Sequence, residues 1–372
     1  MGGSSCRWFS VRVRTMYKYV LRRVIQAIPI FFGITLLSYA LMANTPGGPV
    51  AALAFGANLK PSEVEALKIQ LGVNDPWPIQ YLRWLVGDDW LRWDTDGDKL
   101  ADRSVLIGIT GPNGEPLPPG DRRGILRGDF GISFVRSRAV LPIILERLPA
   151  SIELGVSSLV VGASIGILVG VIAAVYHDRW FDHITRVLAV VFDAVPIFFL
   201  AILLLLIFGA QLQILPLGDR CRVTMDPSCP PIFQRLEYLI LPTFVLATGG
   251  ISAYSRFMRA SMLEVVSQDY MRTARAKGLN SRTVWLRHGA RNALIPIATF
   301  LGPAIAGIWG GAVITETIFN WPGVGRTVVA AVTSRDYPIV MAATVFAGIS
   351  TILGYLLSDI LYGIIDPRIR FD

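Results

Sequence analysis

Six mostly apolar stretches, each more than 20 residues long, constrain the fold of this chain more than any other feature. A helix needs about 20 mostly apolar residues to cross the hydrocarbon core of a bilayer. The stretches are 20–43, 150–175, 184–209, 237–260, 293–317 and 338–363. Because the backbone must satisfy its own hydrogen bonds in lipid, they predict an all-α membrane protein with six transmembrane helices.

The composition agrees with this class of protein. Only 17% of the 372 residues are charged and 53% are hydrophobic, whereas a soluble chain has about a quarter charged residues. The net charge of +8 would favour nucleic-acid binding in a soluble protein. Here the basic residues flank the apolar stretches, as cytoplasmic loops of membrane proteins do, so no nucleic-acid partner is predicted.

The positive charges also predict the orientation of the chain. They are concentrated in residues 1–23, 176–186, 256–291 and 364–372. Six crossings place these four segments on one side, which the positive-inside rule makes cytoplasmic together with both termini. The first stretch follows basic residues as a signal peptide does, but its apolar run is too long and no small-residue cleavage site follows. It is therefore predicted to be a retained helix after a cytoplasmic segment, 1–19.

The opposite side is predicted to hold 44–149, 210–236 and 318–337, the first being a large extracytoplasmic region between helices 1 and 2. Residues 88–126 form a polar, Gly-, Pro- and Asp-rich insertion within it. The run from Asp94 to Asp102 resembles the start of a calcium loop. However, Lys99 and Val105 occupy the positions that need Gly and Glu, so a solvated acidic loop is the better interpretation.

No pattern in the sequence predicts catalysis or metal binding. The three cysteines are too few for a disulfide scaffold, and His177, His183 and His288 lack the spacing of metal ligands. The chain has no phosphate-binding GxxxxGK motif, no HExxH and no GxSxG. We expect no catalytic residue, no metal site and no cofactor on this chain.

The stretch SQDYMRTARAKGLNSRTVWLRHGARNALIPI, residues 267–297, is the most informative polar segment. Ser267 is predicted to cap a short helix that Gly278 ends, because glycine enters the left-handed conformation at little cost. Asn280 or Ser281 can cap a second helix. Tyr270, Met271 and Ala274 share one side of the first helix and suit docking into a groove on a cytoplasmic partner. A solvated basic loop that touches lipid headgroups is the alternative.

The run DYMRTARAKGL followed by RHGARNALIP resembles the cytoplasmic EAA loop of bacterial ABC importer permeases, in the form of the dipeptide, oligopeptide and nickel branch. Arg272-Thr273-Ala274 stands where the general motif has Glu-Ala-Ala, and Gly278 matches its glycine. Arg272 for Glu and Arg291 near the usual proline are departures typical of this branch. Further similar segments are 19–41, 76–87, 127–134, 146–154, 316–326 and 358–370, so the resemblance covers nearly the whole chain except 1–15 and about 88–126.

This resemblance implies a type I ABC importer permease that pairs with a second, similar permease in the bacterial inner membrane. Two cytoplasmic ATPase subunits would hold ATP and Mg²⁺, and an extracytoplasmic binding protein would deliver the solute, most simply a di- or oligopeptide. This chain would supply half the pore. The implied ATPase-coupling residues are Asp269, Tyr270, Arg272, Thr273, Ala274, Arg275, Lys277 and Gly278. Import of nickel or another small solute is the alternative within this class.

A stand-alone secondary transporter is the alternative from another class. It would predict inverted repeats and paired intramembrane charges, and the sequence pattern indicates neither. A membrane-embedded enzyme is a third option, which the missing catalytic motifs disfavour.

Three further groups of residues suggest sites. Asp193, in an apolar stretch, is a candidate pore-lining carboxylate; alternatively it pairs with a donor on a neighbouring helix or lies at the cytoplasmic boundary. Pro196 is expected to kink the same helix.

Glu153 and Asp359 lie near the ends of their segments. They are expected to cap helices or to form hydrogen bonds between helices. Residues 316–326 are predicted to form an external re-entrant element, a plain loop being the alternative. Its candidate gate residues are Glu316, Trp321, Pro322 and Gly323.

Cys221 and Cys229 fall in the predicted extracytoplasmic loop 210–236, where disulfides persist. Asp226-Pro227 between them favours a turn that brings the ends together. We therefore expect a Cys221–Cys229 disulfide, with two free thiols in a mobile loop as the alternative.

Overall fold

The computed structural model describes residues 4–44, 77–87, 92–93, 103–104, 109–110, 116–117, 123–222, 229–310 and 312–365. Helices account for most of them, so the predicted helical class is confirmed. The longer helices are α1 (Ser4–Ala43), α2 (Trp77–Val86), α3 (Val140–Val175), α4 (Trp180–Ala194), α5 (Ile197–Leu204) and α6 (Leu236–Val266) in the first part of the chain. After them come α7 (Asp269–Ala276), α8 (Ser281–Thr283), α9 (Arg291–Gly310), α10 (Val313–Ile318), α11 (Val324–Thr333) and α12 (Tyr337–Ile365).

Two π-helical turns follow helices directly: π1 (Leu205–Gln211) after α5 and π2 (Val284–Ala290) after α8. Short 3₁₀ turns lie at Ile125–Arg127 and Ile232–Gln234. The predicted insertion contains two antiparallel strand pairs, β1 (Arg92–Trp93) with β2 (Arg103–Ser104) and β3 (Ile109–Thr110) with β4 (Pro116–Leu117). The acidic run between Asp94 and Asp102 lies outside the described residues.

Four helices within the described ranges are long and apolar enough to cross a membrane: α1, α3, α6 and α12. The pair formed by α4 and Ile197–Gln211 meets the same test as one bent span. The count of six crossings stays a prediction, because it also needs α9 to cross.

The third predicted crossing, 184–209, is not one straight helix. Helix α4 ends at Ala194, Val195 is extended (φ −78°, ψ 121°), and the chain turns by 99° before α5. The break lies at Pro196, where the sequence predicts a kink. Proline has no N–H to donate and disfavours helical geometry in the residue before it.

Three other predicted boundaries differ from the structure. The fifth stretch, 293–317, covers two helices, since α9 ends at Gly310 and α10 begins at Val313. Residues 140–149 belong to α3 because Pro149 is accommodated inside that helix. Residues 318–337, predicted as a re-entrant loop, contain the ten-residue helix α11.

The chain forms two compact units, of which the first comprises Met1–Ala27, Leu148–Arg326 and Ile349–Asp372. In it α3 and α6 approach closely through glycines. A Cβ on Gly166 would lie 2.8 Å from Tyr254 Cβ, and one on Gly170 would lie 2.6 Å from the Ser255 carbonyl oxygen. Small residues of this kind let membrane helices pack backbone to backbone. Met258 and Met262 fill the core beside this contact.

The second unit comprises Ile28–Arg147 and Thr327–Gly348. Its core joins the start of α3, through Val140 and Ile143, to α11 and α12. Asp336 is buried and accepts hydrogen bonds from the Ser133 hydroxyl at 2.5 Å and the Phe134 N–H at 3.1 Å. These bonds hold the loop before α3 against the start of α12.

Candidate functional site

The predicted coupling helix exists as α7, and it ends as the sequence predicts. Gly278 has φ +73° and donates its N–H to the Arg275 carbonyl at 2.9 Å. The start of the helix differs from the prediction that Ser267 caps it. Gln268 is the N-cap residue, and no side chain caps the helix. Ser267 instead ends α6 and donates its hydroxyl to the Glu264 carbonyl at 2.7 Å.

One side of α7 is fixed to the rest of this chain. Met271 is fully buried and Ala274 is 6% exposed, and both pack on Val284 in a cluster with Val265 and Val266. The apolar side that the sequence offered to a partner groove is therefore covered by the chain's own core. Ala274 is thus buried within this chain, and its predicted role in coupling to an ATPase stays a prediction.

The other side of α7 is exposed and carries the basic residues of this segment. The exposed residues of α7 are Asp269, Tyr270, Arg272, Thr273, Arg275 and Ala276, and Lys277 and Gly278, which follow the helix, are exposed too. Arg272 and Asp269 face each other at 3.9 Å, but both side chains lie largely in solvent, where such a pair contributes little. This surface offers three cations and the half-exposed phenol of Tyr270 to a partner.

The segment after α7 is held in place by local contacts. The Asn280 carboxamide oxygen accepts the Arg282 N–H at 2.9 Å and so caps α8, one of the two residues predicted for this role. A Cβ on Gly289, within π2, would lie 3.3 Å from Met262 Cε and 3.5 Å from Met271 Cε. The Arg275 guanidinium lies over the Trp285 ring, 5.9 Å from its centre. Helix α7 is therefore held between α6 and π2.

Comparison with known proteins identifies the family of this chain. Residues 166–371 match the model of the family described as "binding-protein-dependent transport system inner membrane component". This chain belongs to that family. Residues 16–90 match the model of the corresponding N-terminal part of such membrane components, so the resemblance inferred from the coupling loop is confirmed.

Two relatives of this inner membrane component are similar over nearly their whole length. The oligopeptide transport system permease protein AppB of Bacillus subtilis (strain 168) is 34% identical over 96% of this chain and 100% of its own. The dipeptide transport system permease protein DppB of Escherichia coli (strain K12) is 33% identical over 95% and 99%. A crystal structure of an amino acid ABC transporter with histidines aligns with 60% of this chain and 94% of its own at 15% identity and a TM-score of 0.43.

In this inner membrane component the candidate pore-lining carboxylate of Asp193 is engaged in an ion pair. Its Oδ2 lies 2.5 Å from Nη2 of Arg256 on α6, and the two side chains are 37% and 46% exposed. This contact is the neighbouring-helix alternative that the sequence left open. A pore-lining role for Asp193 stays a prediction.

A second carboxylate, Asp182, is not predicted as a site residue by the sequence. It is fully buried and accepts two hydrogen bonds from Arg259, at 2.5 Å from Nε and 2.7 Å from Nη2, and one from the Asp178 N–H at 3.1 Å. The sequence offers no local signal for this pair, because Arg259 lies in a segment whose many positive charges already indicate a cytoplasmic position.

Asp182 also belongs to the one group that could hold a metal ion within the described residues. Its carboxylate lies with His177 and Asp178 so that three ligand atoms fall within 4.8 Å of one another. The Arg259 guanidinium already occupies both Asp182 oxygens. A cation there would meet that positive charge, so we assign no metal to this group.

The predicted external gate is a buried turn and not an exposed loop. Glu316 is fully buried and accepts hydrogen bonds from the Ser151 hydroxyl at 2.7 Å and the Arg326 N–H at 2.9 Å. Trp321 is also fully buried and donates its indole N–H to the Ala150 carbonyl at 2.9 Å. Gly323 is buried and Pro322 is half-buried. Glu316, Trp321 and Gly323 are thus buried among residues of this chain, and their role as an external gate stays a prediction.

The sulfurs of Cys221 and Cys229 are joined in a disulfide, with their Cα atoms 5.8 Å apart. Glu153 on α3 lies beside it and pairs with Arg220 at 2.6 Å and Arg235 at 2.8 Å. Glu153 therefore ties this loop to α3, rather than capping a helix. The side chain of Asp359 lies outside the described residues.

Proposed function

We propose that this chain is the permease subunit of an ATP-driven peptide importer and supplies one half of its translocation pathway. Family membership and full-length relatives named for oligopeptide and dipeptide transport support this function. The main structural support is the two-sided helix α7. Its apolar side is fixed to this chain, and its exposed basic side is available to a partner.

The proposed assembly contains a second, similar permease, two cytoplasmic ATPase subunits and an extracytoplasmic binding protein. ATP and Mg²⁺ belong to the ATPases in this proposal, and this chain supplies no catalytic group. The helix bundle would have two conformations. ATP on the cytoplasmic side and the solute-loaded binding protein on the other side would shift the equilibrium between them. Helix α7 would transmit the effect of ATP binding to the bundle.

We place the chain in the inner membrane with both termini and α7 in the cytoplasm. The basic residues of 256–291 support this orientation through the positive-inside rule. The loop 210–236 and the turn at 316–323 then face the other side of the membrane, where the binding protein approaches.

Reconstitution tests the substrate class. Proteoliposomes that contain the complete complex, with binding protein outside and ATP available to the ATPases, are expected to accumulate a radiolabelled di- or tetrapeptide but not Ni²⁺. Omitting ATP or the binding protein should abolish the uptake. Uptake of Ni²⁺ in place of peptide would assign the alternative substrate. Peptide uptake by liposomes that lack the ATPase subunits would indicate a secondary transporter.

Thiol labelling of intact cells tests the orientation. Cys221 and Cys229 are expected to resist a membrane-impermeant maleimide until an impermeant reductant is added, because both sulfurs are bonded on the outer side. Cys6 is the internal control and should react only after permeabilisation. Closing this loop should stabilise the fold by roughly 2–3 kcal/mol. Alkylation of both cysteines without prior reduction would contradict the bond, and labelling that requires permeabilisation would contradict the external placement.

A further inference from the structure

Helix α4 is attached to the first unit through a single face. Asp182, Ala189 and Asp193 recur at spacings of seven and four residues, which places them on one side of a helix. Asp182 and Ala189 are its buried residues. That side lies against α6, the element with which α4 makes its main contacts in the described part of the chain. Apolar packing on this side would hold α4 only weakly, since Ala189 is the only buried apolar side chain of this helix.

Two ion pairs reinforce this face, one near each end of α4. Asp182, in the first turn, bonds both carboxylate oxygens to Arg259, and Asp193, in the last turn, pairs with Arg256. The carboxylates are 11 residues apart, about 16 Å along a helix, whereas the arginines are three residues apart, about 5 Å. One turn of α6 thus holds α4 at both ends.

The same part of α6 is linked to the coupling helix. Helix α6 ends at Val266 and α7 begins at Asp269. Val265 and Val266 pack in the cluster that buries Met271 and Ala274. A displacement of α7 is therefore passed to α6 through packed side chains and a two-residue connection.

We propose that Arg256 and Arg259 are positioning residues that make α4 move with α6 when the coupling helix moves. This inference rests on the proposed function, because the movement of α7 is the one that its ATPase partner would cause. The far end of α4 is the break at Pro196, where the chain turns by 99° into α5. The two arginines thus link the ATPase contact to the one bent span of the described chain.

The exposed pair provides the test, because Asp193 and Arg256 are partly solvated and their replacement leaves no charge fully buried. In the reconstituted complex, Asp193→Asn and Arg256→Gln are each expected to lower the peptide taken up per ATP hydrolysed by about fivefold or more. Basal ATP hydrolysis and assembly should stay at the wild-type level. The charge exchange Asp193→Arg with Arg256→Asp should restore the ratio, whereas a role of the Asp193 carboxylate in lining the pore would allow no such rescue.

A matched control lies in the second unit. Arg138 and Glu146 form an exposed ion pair at 2.6 Å, and Arg138→Gln with Glu146→Gln should leave the ratio unchanged. Arg259→Lys, which keeps the charge but loses the two-pronged contact with Asp182, should lower the ratio while the complex assembles. Wild-type ratios in Asp193→Asn and Arg256→Gln, or an assembled charge-exchange variant that stays uncoupled, would overturn the proposal. Loss of peptide uptake by the wild-type complex would overturn the proposed function instead.

Discussion

Gly278→Asp is expected to abolish binding-protein-stimulated ATP hydrolysis and peptide uptake while the permease still inserts and folds. Gly278 ends α7 with φ +73°, and a Cβ there would meet no atom within 4 Å. The strain of a non-glycine residue in this region is about 1–2 kcal/mol, too little to unfold a domain of this size. A large functional loss must therefore arise where the new carboxylate meets a partner. The measurement is ATP hydrolysis in the reconstituted complex with and without loaded binding protein.

Gly278→Asn is the matched control, because asparagine has the same shape as aspartate and tolerates the left-handed conformation. It should retain most of the stimulation, and Gly278→Ala should behave similarly. Equal loss in Asp and Asn variants would indicate that the partner surface excludes any side chain, irrespective of charge. Unchanged stimulation in Gly278→Asp would contradict the assignment of α7 as the ATPase contact.

The local features of α7 could be predicted from sequence, but its packing could not. Glycine after a basic last turn marks a helix end by backbone preference alone, and the structure ends α7 there. The capping prediction at Ser267 was wrong because α6 extends to Val266, so the Ser267 hydroxyl bonds backward to Glu264. Periodicity placed Tyr270 and Ala274 on one side. It could not indicate that Val284, from a later segment, covers Ala274.

The features of the site that could not be predicted depend on contacts between residues far apart in the sequence. The kink at Pro196 is a property of proline itself and was therefore predictable. Asp182 and Arg259 are 77 residues apart, and no local pattern distinguishes a paired arginine from one that sets membrane orientation. Glu316 likewise precedes a Pro-Gly turn, which predicts a surface element. In the structure it is buried, and one of its hydrogen-bond donors is Ser151, 165 residues away, which no local pattern indicates.

Gly323→Ala is expected to destabilise the permease strongly, although the substitution adds only one methyl group. A Cβ on Gly323 would lie 2.3–2.4 Å from the carboxyl atoms of Glu316, a separation that real structures do not allow. Glu316 would have to leave its site, and the Ser151 hydroxyl and the Arg326 N–H would lose their acceptor. Overpacking and unsatisfied buried donors together should cost about 3–5 kcal/mol. Thermal unfolding of the purified complex, followed by the loss of its monodisperse peak, measures this cost.

Gly249→Ala is the control for adding a methyl group to this unit. Gly249 lies inside α6, and a Cβ there would meet no atom within 4 Å, so this variant should be as stable as wild type or slightly more stable. Glu316→Gln keeps the side-chain volume but puts an amide among N–H and O–H donors, and an intermediate loss is expected. If the turn is instead a gate that opens freely, Gly323→Ala should keep wild-type thermal stability and change only transport. That result would contradict the anchoring role that the buried Glu316 and Trp321 indicate for this turn.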